Sequence, residues 1–337
     1  MCPVDIDAFV VRNAPKWNRL NRLARQRRLS VAEVDELLAL HQATARDLSV
    51  VRTNLPDAEM VGRLSGTLAL SRAALTAPRV ARWAVVGDFF IAKLPAALYR
   101  ARWWWGTTAI ASLLVALVMG IWLVHDPSAR NALLPQADVQ QLTKPGGEFE
   151  TYYRSAPARD FAFKVWTNNF FISWETLFSG VLLAIPVIPI LFANSANIAL
   201  DGAYMISAGR GETFFELILP HGMLELTSVF IAAGVGLKLG WTLIAPGARS
   251  RVMALQQEGR IGGVIAIGLM LTLACSGLLE AFVTPSSLPT AVRIGIGAAV
   301  EAAFLGYVFV LGRRAFLRGE TGDLGADDRV DELPSVA

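Results

Sequence analysis

A histidine and a glutamate stand four residues apart in LILPHGMLEL, residues 217–226, at the start of an apolar run. In a helix, His221 and Glu225 share one face, where they can exchange a proton or pair as ions. A further glutamate, Glu280, lies in a later apolar run. Ionisable groups inside a membrane are unfavourable by roughly 2.5–3.5 kcal/mol each, so they need partners and usually have a role. These residues mark either a reactive or ion-handling site or a lock between helices.

The chemistry open to this group is limited by what surrounds it in the sequence. His221, Glu225 and Glu280 could supply three metal ligands, but their spacing is not that of the HExxH zinc motif. The sequence contains no GxSxG, no GxxxxGK[ST] and no convincing catalytic dyad. We therefore predict no catalytic residue, no metal and no cofactor. A helix-locking role is favoured, and a proton or ion path is the main alternative.

The composition indicates a membrane protein. Of 337 residues, 54% are hydrophobic and only 18% charged, against about a quarter charged in soluble domains. No charged leader with a short apolar region opens the sequence, so we expect no cleaved signal peptide. Two cysteines give no disulfide framework. The apolar residues form long blocks, which lie near residues 107–124, 168–192, 195–208, 219–244, 262–283 and 290–312.

Charge sets the expected topology. Residues 1–105 contain 16 Lys or Arg against 9 Asp or Glu, which predicts a cytoplasmic N-terminus near acidic lipids. No nucleic-acid-binding motif accompanies these basic residues, so we expect no nucleic-acid partner. Six crossings place the N-terminus, GARSR (247–251) and GRRAFLR (312–318) on the cytoplasmic side. Five crossings violate the positive-inside rule, so both termini are expected in the cytoplasm.

The predicted fold class is an all-α polytopic membrane protein with about six crossings and an N-terminal cytoplasmic helical domain. The block at 195–208 is expected to be short or re-entrant. Ser30 and Glu33 form a capping box in the first domain. The predicted divisions are a helical domain at 1–78, an interfacial basic-aromatic helix at 79–105, a transmembrane domain at 106–315 with an extracytoplasmic loop at 125–165, and a disordered acidic tail at 316–337.

Six crossings bring polar residues to one layer near the outer face. Pro220 is expected to begin the fourth span, where proline fits the first helical turn. The predicted polar cluster comprises Asn168, Asn169, His221, Glu225, Glu280 and Thr284, and Asp201 and Glu301 are expected to lie deeper.

Two further sets of residues are assigned to packing and anchoring. Gly236 and Gly240 form a GxxxG surface for close helix packing, which is also compatible with self-association. Basic and aromatic residues before the first span are typical of an interfacial anchor; they are Arg100, Arg102, Trp103, Trp104 and Trp105.

Four segments in this order resemble the stage II sporulation protein M family of bacterial membrane proteins. They are NNF (168–170), LFANSANIALDGA (191–203), LPHGMLELT (219–227) and GLLEAFVTPSSLP (277–289). The resemblance covers about residues 105–315, and the long N-terminal helical domain is similar to the actinobacterial version. The matching positions are Asn168, Asn169, Pro220, His221, Gly222, Glu225, Glu280, Thr284 and Pro285. The chain departs from the family's Gly-rich pattern at SWETLFSGVLLAI (173–185), and at Asn197 and Asp201.

The resemblance implies a non-enzymatic scaffold in the bacterial cytoplasmic membrane. In endospore formers the founding member works with two cell-wall partners, one of them a peptidoglycan amidase. We therefore expect a homo-oligomer in the lipid bilayer that organises envelope-remodelling or other membrane proteins. The alternative is a transporter or channel with a polar path through Glu225, Glu280 and Asp201, and an intramembrane hydrolase has the least support.

Overall fold

A computed structural model describes residues 6–26, 29–54, 58–76 and 82–325. Within these ranges every regular element is a helix, which confirms the predicted all-α class. The chain divides into two compact units, Met1–Arg82 and Trp83–Ala337.

The first unit contains three helices: α1 (Ile6–Arg25), α2 (Val31–Asn54) and α3 (Ala58–Thr76). Their buried apolar side chains form the core of this unit; Trp17, Leu20, Leu23, Leu37 and Leu64 are each at most 4% exposed. The helix boundaries expected at Pro56, Asp57 and Pro78 lie outside the described residues.

The capping box at the start of α2 is confirmed. The backbone amide of Glu33 donates to Ser30 Oγ at 3.3 Å, and the Ser30 amide donates to Glu33 Oε2 at 2.8 Å. The Ser30 hydroxyl also donates to Glu33 Oε2, at 2.9 Å, and the two bonds to the carboxylate lower the pKa of Glu33 below its ordinary value because they favour the charged form. The box fixes the first residue of α2 and satisfies two amides that a helix start leaves unpaired.

The second unit consists of long helices linked by short ones. Their order is α4 (82–100), α5 (Arg102–His125), α6 (Pro127–Leu133), α7 (Gln136–Thr143), α8 (Glu148–Thr151), α9 (Ala158–Phe178), α10 (Val187–Ser207), α11 (Gly211–Ile244), α12 (Arg251–Val283) and α13 (Thr290–Leu317). Helices α4, α12 and α13 each contain a π-helical segment, at Phe89–Lys93, Leu279–Val283 and Tyr307–Gly312.

Four helices in the described part of the chain are long and apolar enough to cross a membrane: α5, α11, α12 and α13. Helices α9 and α10 also have 21 residues each, but they do not meet that standard. Charged and amide side chains lower their hydropathy. The sequence block at 195–208 was expected to be short. In the structure it belongs to α10, which begins at Val187.

Helix α11 is the centre of the second unit. It contacts α5, α9, α10, α12 and α13. Side-chain hydrogen bonds fix the relative directions: Asn169 of α9 meets Glu225, and Thr227 meets Glu301 of α13, so α9 and α13 run in the same direction as α11. Helices α5 and α12 run in the opposite direction, because later positions on α11 contact earlier positions on α5 and α12. The contacts Thr108–Phe230 and Ser228–Thr272, together with neighbouring contacts on the same helices, show this order.

The predicted GxxxG surface packs within the chain. A Cβ atom on Gly236 would lie 2.7 Å from the backbone oxygen of Thr176, and one on Gly240 would lie 2.6 Å from the nitrogen of Ala184. Both glycines therefore admit the end of α9 and the turn that follows it. The apolar run expected near 168–192 breaks at this turn, where Leu183 and Ala184 adopt positive φ values of 57° and 59°.

Pro220 does not begin its helix, contrary to the sequence expectation. Helix α11 begins at Gly211, and Pro220 is inside it. The preceding turns are apolar and pack: Phe214 and Leu217 are buried against Phe149 and Phe161 in one core cluster. This burial extends the helix towards its N-terminus despite the amide that proline lacks.

At the opposite end of the helices, Glu258 of α12 is the focus of a charged cluster. It is 5% exposed, and its carboxylate lies 2.5 Å from Arg100, 2.9 Å from Lys238 and 3.7 Å from Arg249. Three cations on one buried carboxylate tie α4, α11 and the α11–α12 turn to α12.

The C-terminal segment differs from the disorder expected from residue 316 onwards. Helix α13 continues to Leu317, and Asp323 is 1% exposed. The guanidinium of Arg260 donates to the Asp323 carboxylate at 2.7 Å and 3.2 Å. This ion pair holds the segment against α12, and residues 326–337 of the predicted tail lie outside the described residues.

Candidate functional site

Three helices bring polar side chains together towards the ends that face the 126–157 segment. Asn169 comes from α9, His221 and Glu225 from α11, and Ser276 from α12, followed by Glu280 in the π-helical turn. Thr284 follows that turn directly. We call these six residues, Asn169, His221, Glu225, Ser276, Glu280 and Thr284, the polar cluster.

Glu225 is held by a donor on each side. Asn169 Nδ2 donates to Oε1 at 2.9 Å, and Ser276 Oγ donates to Oε2 at 3.3 Å. The two donors belong to different helices, so this one carboxylate connects α9, α11 and α12. Each oxygen of a carboxylate has two lone pairs, and therefore each retains capacity for a further ligand.

His221 is buried at 5% exposure and has a defined partner on one ring nitrogen. Its Nδ1 lies 3.1 Å from Thr284 Oγ1, and its backbone oxygen accepts a hydrogen bond from Ser276 at 3.2 Å. The ring of Tyr153 lies 5.7 Å away, centroid to centroid. His221 thus bridges α11 to the end of α12, and Nε2 has no hydrogen bond within the described residues.

Glu280 faces the same space from α12. It is 4% exposed, and its π-helical turn closes with a bond from the Thr284 amide to the Leu279 oxygen at 2.9 Å. One donor atom each from His221, Glu225 and Glu280 lies within 4.8 Å of the other two. The arrangement can hold a proton between carboxylates or bind a cation.

A polar cavity of about 320 Å³ adjoins the polar cluster. Tyr153 and Thr284, which both contact His221, form part of its wall, and so do Arg210, Glu216 and Arg293. Burial and the nearby charge of Glu280 raise the pKa of the Tyr153 hydroxyl, which therefore stays protonated at neutral pH. The cavity is separated from His221 by the side chains of Tyr153 and Thr284.

Two ion pairs build the wall of this cavity. Arg210 contacts Glu150 and donates to the Thr143 oxygen at 2.9 Å. Arg293 lies 3.6 Å from Glu216 and donates to the Thr284 oxygen at 2.7 Å. Arg293 of the second pair therefore holds Thr284, whose side chain contacts His221.

The other residues singled out in the sequence lie apart from the polar cluster. Asn168 is exposed and donates only to Asn169, at 3.4 Å. Glu301 of α13 accepts a hydrogen bond from Thr227 at 2.8 Å, and its second oxygen is buried without a hydrogen bond from the described part of the chain. Asp201 is partly buried on α10.

The expected interfacial anchors divide into exposed and buried residues. Trp103 is 72% exposed, whereas Trp105 is 7% exposed and donates from Nε1 to the Leu98 oxygen at 3.0 Å. Trp104 lies between these extremes. Consecutive helical residues point about 100° apart, so three neighbouring tryptophans cannot all face lipid. Arg102 stacks over the Tyr99 ring at 4.1 Å, and Arg100 binds Glu258.

Sequence reasoning missed four residues of the site. Ser276 stands four residues before Glu280, so helical spacing alone places it on the same face. Tyr153, Arg210 and Arg293 belong to the loops and helix ends around the cavity. Nothing in their local sequence indicates that the chain brings them to one place.

The fold and the polar cluster define a helical integral membrane protein. Comparison with protein families matches residues 109–285 to Stage II sporulation protein M, and residues 7–77 to a domain of unknown function (DUF8413). Since the first match covers more than half of the chain, the protein belongs to the Stage II sporulation protein M family, as the sequence segments predicted. The match contains the whole polar cluster. No curated protein and no solved structure matches the chain.

Proposed function

We propose that this protein is a non-enzymatic scaffold of the bacterial cytoplasmic membrane that organises envelope or peptidoglycan-remodelling partners. Membership of the Stage II sporulation protein M family over residues 109–285 carries the proposal. The chemistry of the site supports it, because Asn169, Glu225 and Ser276 bind one another across three helices. A scaffold needs such a rigid frame and turns over no substrate.

The proposed topology has six crossings, with both termini in the cytoplasm. Helices α9 and α10 join the four apolar helices as additional spans. The packing of α9 along α11, from Glu225 to Gly236, supports this topology, because a helix that follows a span along its length crosses with it. The Arg100, Lys238 and Arg249 cluster lies opposite the polar cluster and also supports it. A basic end favours the cytoplasmic side.

Self-association is proposed through the apolar face of α5. Because Gly236 and Gly240 are used inside the chain, they give no support to an oligomer. Helix α5 is only 17% buried over its apolar window, and Leu114 and Val118 are more than half exposed. In the membrane such a face meets lipid or a second copy.

The test uses photo-crosslinking in living cells of the native host. A crosslinker at Leu288, 44% exposed beside the cavity end, is expected to capture peptidoglycan-remodelling enzymes. The matched position is Leu114, 54% exposed on α5, where crosslinks to a second copy are expected. Deletion of the gene should displace sites of peptidoglycan turnover, seen with fluorescent cell-wall labels. Normal cell-wall labelling after deletion, with no captured cell-wall enzyme at Leu288, contradicts the proposal.

A transporter or channel is the second candidate, favoured by one specific observation. The described chain offers Glu280 no hydrogen bond or ion pair, and a Glu280 oxygen lies within 4.8 Å of a Glu225 oxygen. A path through Glu225, Glu280 and Asp201 would make purified protein pass protons or ions in liposomes, and Glu225→Gln would abolish the flux. Liposomes that stay tight across a range of pH and potential exclude this function.

A further inference from the structure

Glu280 is a buried carboxylate for which the described part of the chain provides no partner. It is 4% exposed, accepts no hydrogen bond and forms no ion pair there. An unpaired ionised carboxylate is strongly unfavourable in an apolar interior, by several kcal/mol even after relaxation. His221 and Glu225 each have a donor atom within 4.8 Å of a Glu280 oxygen, and Glu225 is a second carboxyl group. A bound cation would compensate both carboxylates.

The donor set of the cluster has a definite chemical character. One imidazole nitrogen and two carboxylate oxygens lie within 4.8 Å of one another. In the described chain, no lysine or arginine pairs with Glu225 or Glu280, so no side-chain cation competes with a metal ion for the two carboxyl groups. Carboxylates alone suit Mg²⁺ or Ca²⁺, whereas an imidazole among them favours Zn²⁺ and similar transition metals.

Neighbouring side chains orient these donors in the way that metal sites require. Nδ1 of His221 donates to Thr284 Oγ1 in one tautomer, which leaves the Nε2 lone pair free. Asn169 and Ser276 fix the two oxygens of Glu225. Hydrogen bonds of this kind from outer residues set the tautomer and orientation of metal ligands.

We propose that His221, Glu225 and Glu280 bind one Zn²⁺ ion, which clamps α11 to the end of α12. Zn²⁺ sites with three protein ligands keep a further position for water, and a polar cavity lies next to this site, behind Thr284 and Tyr153. The HExxH motif is absent because the i, i+4 pair on α11 is His221 and Glu225 instead of two histidines. This site does not depend on the scaffold function, and either can fail alone.

The donor atoms need to move only slightly to bind the ion. Ligand atoms around a tetrahedral Zn²⁺ lie about 3.4 Å apart, from metal–ligand distances near 2.1 Å. The three donors, now within 4.8 Å of one another, would close by at most about 1.4 Å. Side-chain rotation covers this movement, and the ion replaces repulsion between two carboxylates by attraction to both.

The experiment measures zinc bound to the full-length protein, purified in detergent with a tag that lacks histidine. The protein is stripped with EDTA, loaded with ZnCl₂, desalted and analysed by mass spectrometry for zinc. We expect about one zinc per chain in the wild type, from the single site proposed. Glu280→Gln and His221→Gln should lower this value to near zero. Glu301→Gln, a glutamate on α13 that binds Thr227, should keep it.

Thermal unfolding separates lost zinc binding from misfolding. Glu280→Gln removes an unpaired charge, so the zinc-free variant should unfold at the wild-type temperature or above it. Zinc should raise the unfolding temperature of the wild type and of Glu301→Gln, but not of Glu280→Gln. Thr284→Val should weaken zinc affinity by about 10–100-fold, the usual effect of losing an outer hydrogen bond.

Two outcomes overturn the proposal. One is a wild-type protein that retains no zinc after desalting. The other is a Glu280→Gln variant that folds and binds as much zinc as the wild type, which would place the metal elsewhere. Both leave the crosslinking test of the scaffold function unaffected, because that test contains no metal measurement.

Discussion

At the residue scale, two adjacent asparagines differ in what their side-chain amides bind. Asn169 donates to the partly buried Glu225 at 2.9 Å, whereas Asn168 is exposed and donates only to Asn169. A carboxylate oxygen that loses its only donor keeps its desolvation penalty. The two neighbours therefore have unequal importance although the sequence presents them as a pair.

We expect Asn169→Ala to lower the free energy of unfolding by about 1–3 kcal/mol, because it leaves Glu225 Oε1 without a donor. The matched control is Asn168→Ala, which should change the free energy by less than about 0.5 kcal/mol. Unfolding by titration with SDS in mixed micelles measures both. Equal effects of the two substitutions would contradict this assignment.

Glu258 gives the second prediction at this scale. Replacing it by Gln removes the one carboxylate that Arg100, Lys238 and Arg249 share, and a buried ion pair broken on one side loses about 3–5 kcal/mol. The control is Glu212→Gln, at an exposed position in the first turn of α11. The same SDS titration compares them, and a Glu258→Gln variant as stable as the control would show that the cluster contributes little.

At the element scale, glycines determine how closely the helices approach. Gly236 lies against the backbone oxygens of Thr176 and Leu177, where a side chain has no room to move its neighbour aside. The sequence predicted a close-packing GxxxG face from spacing alone. It could not identify the partner, because the spacing of residues within one helix does not say which other segment packs against them.

Gly236→Val should therefore destabilise the fold by about 1–3 kcal/mol or more, as overpacking of a close contact does. Gly263→Val is the control, because a Cβ atom there meets nothing within 4 Å. Thermal unfolding in detergent should show a lower midpoint for the first variant only. If Gly263→Val lowers the midpoint as much, the effect comes from valine in a helix and not from the contact.

At the scale of the whole molecule, the sequence predicted the fold class better than it predicted the contacts between distant segments. Helical spacing and hydropathy were sufficient for the all-α class and for the meeting of His221, Glu225 and Glu280, whereas the family came from the resemblance of four sequence segments. Contacts made by Tyr153 and Arg293 depend on loops and helix ends, for which the sequence has no periodic signal. The start of α11 was misplaced because Pro220 is a common first-turn residue, and packing of the preceding turns outweighed it.

The number of crossings is the last prediction, and one position decides it. Leu182 is 60% exposed in the turn between α9 and α10. If only α5, α11, α12 and α13 cross, this turn stays outside with the 126–157 segment. If α9 and α10 cross as well, it lies in the cytoplasm.

We expect Leu182→Cys, in a chain with Cys2 and Cys275 replaced by Ser, to resist a membrane-impermeant maleimide in intact cells and to react after permeabilisation. Ala137→Cys, exposed in α7, should react in both conditions, and Ala248→Cys, exposed between α11 and α12, only after permeabilisation. These two controls report the outer and the inner side for either topology. Labelling of Leu182→Cys in intact cells would reduce the crossings to four, and would place the α9–α10 hairpin, which carries Asn169, on the outer side of the membrane.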